Sequence, residues 1–396
     1  MTTSVLLVTP LWTRDGGVAT HVEASATALV RAGVDVHALV ARNEREQPLA
    51  GVTVHCAPTL FKRELAAEAR VGDALARDYS VIHTHHFDDP LVTAHLQRHA
   101  PLISSVHSYS ACTSALHYFR PGQECDRAHG PGCIPNLLAR GCAHTRDPRW
   151  LPQSYERAGA QRSSLRRADL AISYSSVIDR HLAVNGVSRR AILPLFSTIP
   201  VVRGSGHEHR RRVVFAGRLV RPKGADVLIR AARDVDAEFV ICGEGRRLQA
   251  LRRLAERLGV AQRVSFAGWL GPEQLARELA EASVVAIPSL WPEPFGLVGI
   301  EALAAGRPVV ASATGGVEDW LEDGRSGLCV QPGDVGALAR ALSELLSDPE
   351  RQRTMGEAGR ATVGERFTEQ RHIAALLDAY AAARETWQRH AAAARS

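Results

Sequence analysis

Residues 283–311 read SVVAIPSLWPEPFGLVGIEALAAGRPVVA. The apolar run Ser283–Ile287 predicts a strand that ends at Pro288. Val298–Ala305 has the apolar spacing of a helix, and Val309–Ala311 is a second strand. Strand, helix and strand in so short a stretch make a βαβ unit, whose strands lie parallel in one sheet. The same alternation precedes it. Val213–Ala216, Glu238–Cys242 and Val264–Ala267 read as strands, separated by the helices Ala225–Arg233 and Arg246–Leu258 and followed by the helix Pro272–Glu281. Beyond it, Gly327–Val330 is a strand, and helices fill most of residues 335–396.

The first half repeats the pattern. Its predicted strands are Val5–Thr9, Val34–Ala41, Val52–Cys56, Val81–Thr84, Leu102–Val106, Leu170–Ser173 and Ala191–Leu193. Its predicted helices are Val18–Ala32, Glu64–Arg77, Pro90–Ala100, Tyr155–Arg167 and Val177–Asn185. Between the halves, Val201–Arg212 is polar, basic and Gly-containing, the signature of a linker. A chain of 396 residues exceeds one ordinary core. The expected fold is therefore α/β, with two Rossmann-like open parallel-sheet domains over residues 1–200 and 201–370. Ligands of such sheets bind beyond the carboxyl ends of the strands, which predicts a cleft between two facing domains.

Composition narrows the function. With 45% hydrophobic and 23% charged residues the chain has the balance of a soluble globular protein. No run reaches the roughly 20 apolar residues of a membrane span. The N-terminus has no basic region before its first apolar run, so no signal peptide and a cytoplasmic location are expected. The net charge of +6 is spread over dispersed arginines with no aromatic platform, which argues against a nucleic-acid partner. An anionic nucleotide substrate, or peripheral contact with anionic membranes, fits the charge better.

Arginine supplies almost all of the 48 basic residues; only Lys62 and Lys223 are lysines. That bias suggests a GC-rich, actinomycete-like genome. A lysine kept against it is a candidate for work that needs a compact ammonium. Lys223 lies in the loop Gly217–Gly224, GRLVRPKG, directly after a predicted strand. Seven cysteines are too many to ignore and odd in number. Cys56, Cys242 and Cys329 fall in predicted strands as small core residues. Cys112, Cys125, Cys133 and Cys142 cluster in a Gly- and Pro-rich segment, where a structural zinc site is the minor reading because paired CxxC spacing is absent.

In the opening stretch, Phe295, Gly296 and Leu297 begin a helix whose first N–H groups have no internal partner and suit a phosphate. Glu293 precedes that helix and Glu301 lies within it. Each carboxylate can accept two hydroxyl hydrogen bonds, so each suits a vicinal diol. Diol binders flanking a phosphate site suggest a nucleotide sugar.

Glu293-x7-Glu301 in this setting resembles the retaining family-4 glycosyltransferases of GT-B fold. The loops GRLVRPKG and Gly243-Glu244-Gly245-Arg246, the strand after Asp169 and the Gly16-Gly17 loop agree with it in order, over nearly the whole chain. The resemblance implies that Arg218 and Lys223 neutralise the donor diphosphate and that His107 contacts the donor sugar. Gly16 and Gly17 then approach the donor phosphate, Gly243 lies near the nucleotide, and Leu270 pairs with the base. It also implies a front-side retaining transfer, with Glu293 as nucleophile the less favoured route, and a last helix, about 371–396, that crosses back to the first domain.

The donor would be a nucleotide diphosphate sugar, UDP-linked hexose or N-acetylhexosamine foremost. The acceptor would be a small molecule or glycan bound by the N-terminal domain. An aminocyclitol of antibiotic biosynthesis, a glycolipid and a polysaccharide all fit, and a GT-B nucleotide-sugar epimerase is the rival enzyme. No cofactor and no divalent metal are expected: Asp234-Val235-Asp236 spells DxD but precedes a strand, away from the cleft. His83, His85 and His86 are expected to pack locally or line the acceptor side. Leu193–Thr198 departs from the family pattern, which has a Pro-Asn-Gly-Val-Asp stretch there.

Overall fold

The computed structural model describes residues 3–13, 16–44, 47–57, 72–85, 90–113, 118–120, 123–139, 142, 149–202 and 211–393. The chain divides into two compact units, residues 1–116, 126–194 and 369–396 in the first and 117–125 and 195–368 in the second. The division falls at Pro194/Leu195, a few residues before the predicted boundary at 200. The predicted linker lies largely outside the described residues, as does most of the predicted helix Glu64–Arg77, of which Gly72–Leu75 forms a short 3-10 turn.

The first unit carries seven parallel strands: β1 (Ser4–Trp12), β2 (Asp35–Asn43), β3 (Val52–Cys56), β4 (Val81–His85), β5 (Leu102–Val106), then β8 (Leu170–Ser173) and β9 (Arg190–Ile192). Their order is β3-β2-β1-β4-β5-β8-β9. Reversal beside β1 is the doubly wound pattern, with its switch point at the carboxyl ends of β1 and β4. The helices are α1 (Gly17–Arg31), α2 (Pro90–Leu96), α3 (Cys133–Ala139), α4 (Trp150–Arg167) and α5 (Ser176–Val184). β4 and β5 are buried along their whole length, as central parallel strands must be. α2 ends earlier than predicted and α4 begins earlier. Cys56 is exposed, a correction to its core assignment: β3 is the edge strand, so one flank of it meets solvent.

The second unit has six parallel strands, β10 (Arg212–Ala216), β11 (Glu238–Cys242), β12 (Val264–Gly268), β13 (Val284–Ile287), β14 (Val309–Ser312) and β15 (Gly327–Val330), in the order β12-β11-β10-β13-β14-β15. Helices α6 (Ala225–Ala231), α7 (Leu248–Arg257), α8 (Pro272–Ala280), α9 (Leu297–Ala304), α10 (Val335–Leu346) and α11 (Pro349–Arg366) connect and follow them. Val213, Phe215, Phe239, Ile241, Leu228, Leu251 and Leu342 meet in one buried core. The opening stretch is β13, α9 and β14, as its periodicity requires.

The last helix, α12 (Glu369–Ala393), is counted with the first unit. It is anchored there by polar contacts: Tyr380 OH to His83 Nδ1 at 3.0 Å and Trp387 Nε1 donating to Gln97 O at 2.9 Å. The cysteine-bearing segment, expected to be loop-rich, contains α3 and a two-stranded hairpin, β6 (Tyr118–Arg120) and β7 (Gln123–Glu124). Among the described residues no group of three or more His, Cys, Asp or Glu is placed to hold a metal, Cys112, Cys125, Cys133 and Cys142 included. Nor is any described helix long and apolar enough to cross a membrane.

Candidate active site

Three loops at the carboxyl ends of β10, β11 and β12 are tied together by backbone bonds. Gly217 N donates to Cys242 O, Leu219 N to Glu244 O and Gly243 N to Gly268 O, at 3.0, 2.7 and 2.6 Å. The Gly217–Gly224, Gly243–Arg246 and Gly268–Leu270 segments therefore form one surface. Leu270 is half-buried on it, beside an exposed Trp269.

The Gly217–Gly224 loop is also fastened to the segment after β13. Leu290 N donates to Pro222 O at 2.7 Å. Gly224 adopts φ +70°, and a Cβ there would lie 1.8 Å from Pro288 O. No other residue fits. That contact brings Lys223 onto Glu293: Nζ donates to both carboxylate oxygens at 2.8 Å. Ser289 Oγ donates to Glu293 Oε1 at 2.5 Å, and Nζ also lies 5.8 Å from the centre of the Trp291 ring. Glu293 is 2% exposed, so the buried carboxylate is matched by a cation and a hydroxyl, as burial of charge demands. We expect Gly224→Ala to misplace Lys223 and lower activity by at least tenfold, with a melting temperature also reduced; thermal denaturation beside initial rates checks this.

Arg218 is exposed and has no ion pair among the described residues. It stands uncommitted on the loop whose lysine is committed. α9 opens at Leu297, behind Gly296 in the left-handed region and Phe295 in the core. Trp320 seats that turn from below, donating Nε1 to Phe295 O at 2.7 Å. Gly316 N donates to Glu293 O at 2.7 Å, so a further loop, Gly315–Gly316, holds the Glu293 backbone. Hairpin residue Glu124 accepts from Gly315 N at 3.0 Å, which places β7 against this loop.

Glu301 is 5% exposed, and burial pushes its carboxyl up to about 7 against the opposing pull of hydrogen bonds from Thr198. Thr198 Oγ1 donates to Glu301 Oε1 at 3.1 Å. Thr198 lies in the segment that departs from the family pattern, and nothing in its local sequence announces the contact.

In the first unit Gly16 caps α1 at φ +96° and Gly17 begins it, after β1. Arg14 and Asp15 of that loop lie outside the described residues, as does His86. His107 follows β5. Its Nε2 lies 3.1 Å from His85 Nδ1, and its ring stacks 4.9 Å from Tyr174 and meets His21 of α1 at 6.0 Å. Two more links extend the group: His83 Nε2 to Ser105 Oγ and Ser105 Oγ to Tyr174 OH, each 2.7 Å. On the other side Ser25 Oγ lies 3.2 Å from His372 Nε2, and His372 Nδ1 donates to Pro194 O at 2.7 Å. Burial lowers His83 to about 3 and His372 to about 4, and holds His21 well below the usual range. His21, His83 and His372 are thus held neutral, and His83 and His85 make local packing contacts, their rings 4.1 Å apart. His21, Tyr174 and His372 were not anticipated, because a histidine in an apolar helix pattern carries no mark of its distant partners.

Asp234 and Asp236 lie ahead of β11, at the opposite end of the sheet from Lys223, and Asp236 pairs with Arg211 at 3.3 Å.

The chain matches two family models: a glycosyl transferase 4-like domain over residues 16–195 and glycosyl transferases group 1 over residues 203–362. A GDP-mannose-dependent alpha-(1-6)-phosphatidylinositol monomannoside mannosyltransferase of Mycolicibacterium smegmatis is 41% identical over 159 residues, 37% of this chain and 42% of that protein. A D-inositol 3-phosphate glycosyltransferase of Streptomyces avermitilis is 38% identical over 190 residues, 44% of this chain and 40% of the relative. The chain thus spans about two fifths of the length of these curated relatives. Among solved structures, sucrose-phosphate synthase from Thermosynechococcus elongatus superposes with a TM-score of 0.76 at 22% identity, covering 96% of this chain and 98% of that one. Anabaena HepE in complex with UDP-glucose superposes with a TM-score of 0.70 at 18% identity, covering 95% and 99%.

Proposed function

The chain belongs to the glycosyltransferases of GT-B fold, a 4-like domain followed by a group 1 domain, and from that premise we propose that it is a retaining, metal-independent hexosyltransferase. The donor is a nucleotide diphosphate sugar bound on the second unit, and the acceptor is a hydroxyl of a small molecule or glycan. The observation that carries this reading is the Lys223–Glu293 pair at the mouth of α9. An ammonium has three N–H donors, and Glu293 takes two. The third is left for a phosphate oxygen, beside the uncommitted guanidinium of Arg218.

In the proposed reaction the acceptor oxygen bonds to the anomeric carbon on the face the diphosphate leaves. The carbon–oxygen bond to the diphosphate breaks, and the acceptor proton passes to the departing phosphate oxygen. Lys223, Arg218 and the first N–H groups of α9 stabilise the charge that grows there. Glu293 is already bonded to an ammonium and a hydroxyl, which lowers its nucleophilicity and favours the front-side route. Glu293 then orients sugar hydroxyls, Glu301 the ribose, and His107 contacts the sugar. Gly16 and Gly17 approach the phosphate, and Gly243 and Leu270 flank the nucleotide.

A UDP-linked hexose or N-acetylhexosamine is the proposed donor. GDP-mannose is the second reading, favoured by the mycobacterial relative. Acceptors of the aminocyclitol, glycolipid and polysaccharide classes remain the proposed range. A panel of UDP- and GDP-sugars, screened by thermal shift and then by product analysis, tests the assignment. Release of free epimerised sugar without acceptor would favour the epimerase. We expect turnover to be unchanged by a chelator; loss of activity restored by Mn²⁺ would refute metal independence.

A further inference from the structure

Away from these loops, the first unit has a cavity of 440 Å³ lined by His129, Gly159, Arg162, Ser163, Arg166 and Arg167. Its size is that of a small-ligand site, but its walls are cationic rather than apolar. Arg166 and Arg167 end α4, where the chain turns into β8, and the carbonyl of Arg167 accepts from Gln97 Nε2 at 2.8 Å. The cavity therefore lies toward the amino ends of the strands, whereas His107 follows the carboxyl end of β5.

The cavity is built. Arg162 is pinned by two carbonyls, Nε to Asn185 O at 3.0 Å and Nη1 to His129 O at 3.1 Å. Asn185 is fully buried and accepts from His129 N at 2.9 Å. Thr113 Oγ1 lies 3.1 Å from His129 Nδ1; with that hydroxyl donating, Nε2 carries the ring proton. His129 is itself 8% exposed. Gly159 leaves room for the ring, since a Cβ there would lie 3.3 Å from Nε2. Among the described residues no carboxylate pairs with Arg162, Arg166 or Arg167. A held guanidinium, two further arginines and an N–H donor, with no internal counter-charge, suit a phosphate group.

We propose that this cavity is an anion site for a phosphate-bearing ligand, separate from the donor site. The phosphate belongs either to a free phosphorylated metabolite or to a lipid headgroup. The chemistry is shared, and the two sources are separated by experiment.

The test uses the full chain, with inorganic pyrophosphate titrated by calorimetry at low ionic strength. A second arm is co-sedimentation with phosphatidylcholine vesicles, with and without phosphatidylglycerol. The R166Q/R167Q variant should weaken binding by at least about tenfold in whichever arm binds. Both residues are exposed, so its melting temperature should match wild type. Arg162→Lys keeps the charge but loses the two-carbonyl grip, and should also weaken binding. Lys223→Ala should leave this binding class intact, which distinguishes it from pyrophosphate held at the donor site. Pyrophosphate binding lost in R166Q/R167Q identifies a soluble ligand. Vesicle binding lost in the variant, without pyrophosphate binding, identifies a headgroup. Binding unchanged by R166Q/R167Q in both arms, or absent from both, overturns the proposal.

Discussion

Lys223→Ala is expected to reduce kcat by about a hundred- to a thousandfold, the usual loss when one donor to a developing charge is removed. Two effects combine and can be separated. The leaving diphosphate loses an N–H donor, and Glu293 is left buried beside Ser289 without its cation. The second effect costs stability, about 3 kcal/mol for an orphaned buried carboxylate. The double variant Lys223→Met with Glu293→Gln removes the orphaned charge. It should recover most of the melting temperature and none of the turnover. Near-normal kcat in Lys223→Ala would sink the leaving-group assignment, whatever the melting temperature.

Glu301 carries the second large effect, and it depends on pH. Burial, which penalises the charged form, pushes its carboxyl from the ordinary 4.5 up to about 7 in the folded chain. Between these values the native state holds a proton that the unfolded state has lost. Stability therefore falls as pH rises through that window, and above about pH 7 the full penalty of about 3 kcal/mol applies. Glu301→Gln should raise the melting temperature at pH 8 and change it little at pH 4. The same variant should raise the donor KM by about tenfold to a hundredfold, since an ionised acceptor of two hydroxyls is lost. Donor binding to the native chain near pH 7 should also release protons, as hydroxyl donors favour the carboxylate. Calorimetry in buffers of different ionisation enthalpy reads that release; no buffer dependence would show that Glu301 does not face the donor.

The fold was legible because parallel strands buried on both faces must be short apolar runs, and their helices amphipathic. The stretch from Val284 to Ser312 shows both without ambiguity. The layout of the candidate site was legible where it is local in sequence: Phe295, Gly296 and Leu297 at a helix start, Glu301 within the helix. Contacts of long separation were not. Lys223 and Glu293 are 70 positions apart, and their ion pair exists because Gly224 lets one backbone run against Pro288. Thr198 on Glu301 and His372 beside Ser25 are of the same kind. The pairing of β6 with β7 was missed because strands of three and two residues carry no periodicity, and Cys56 was misplaced because a strand's rank within its sheet is a tertiary fact.

In the proposed reaction the Lys223–Glu293 pair also bears on the end of the cycle. A lysine with no other partner would grip a spent nucleoside diphosphate and slow its escape. Here Glu293 holds two of the three N–H donors, so a diphosphate would meet an ammonium whose charge is already partly balanced. When the diphosphate of the proposed reaction departs, the ammonium would stay paired with Glu293 without waiting for water or salt. We propose that the pair thereby shortens product residence; burst kinetics in a Glu293→Gln background would then show delayed release.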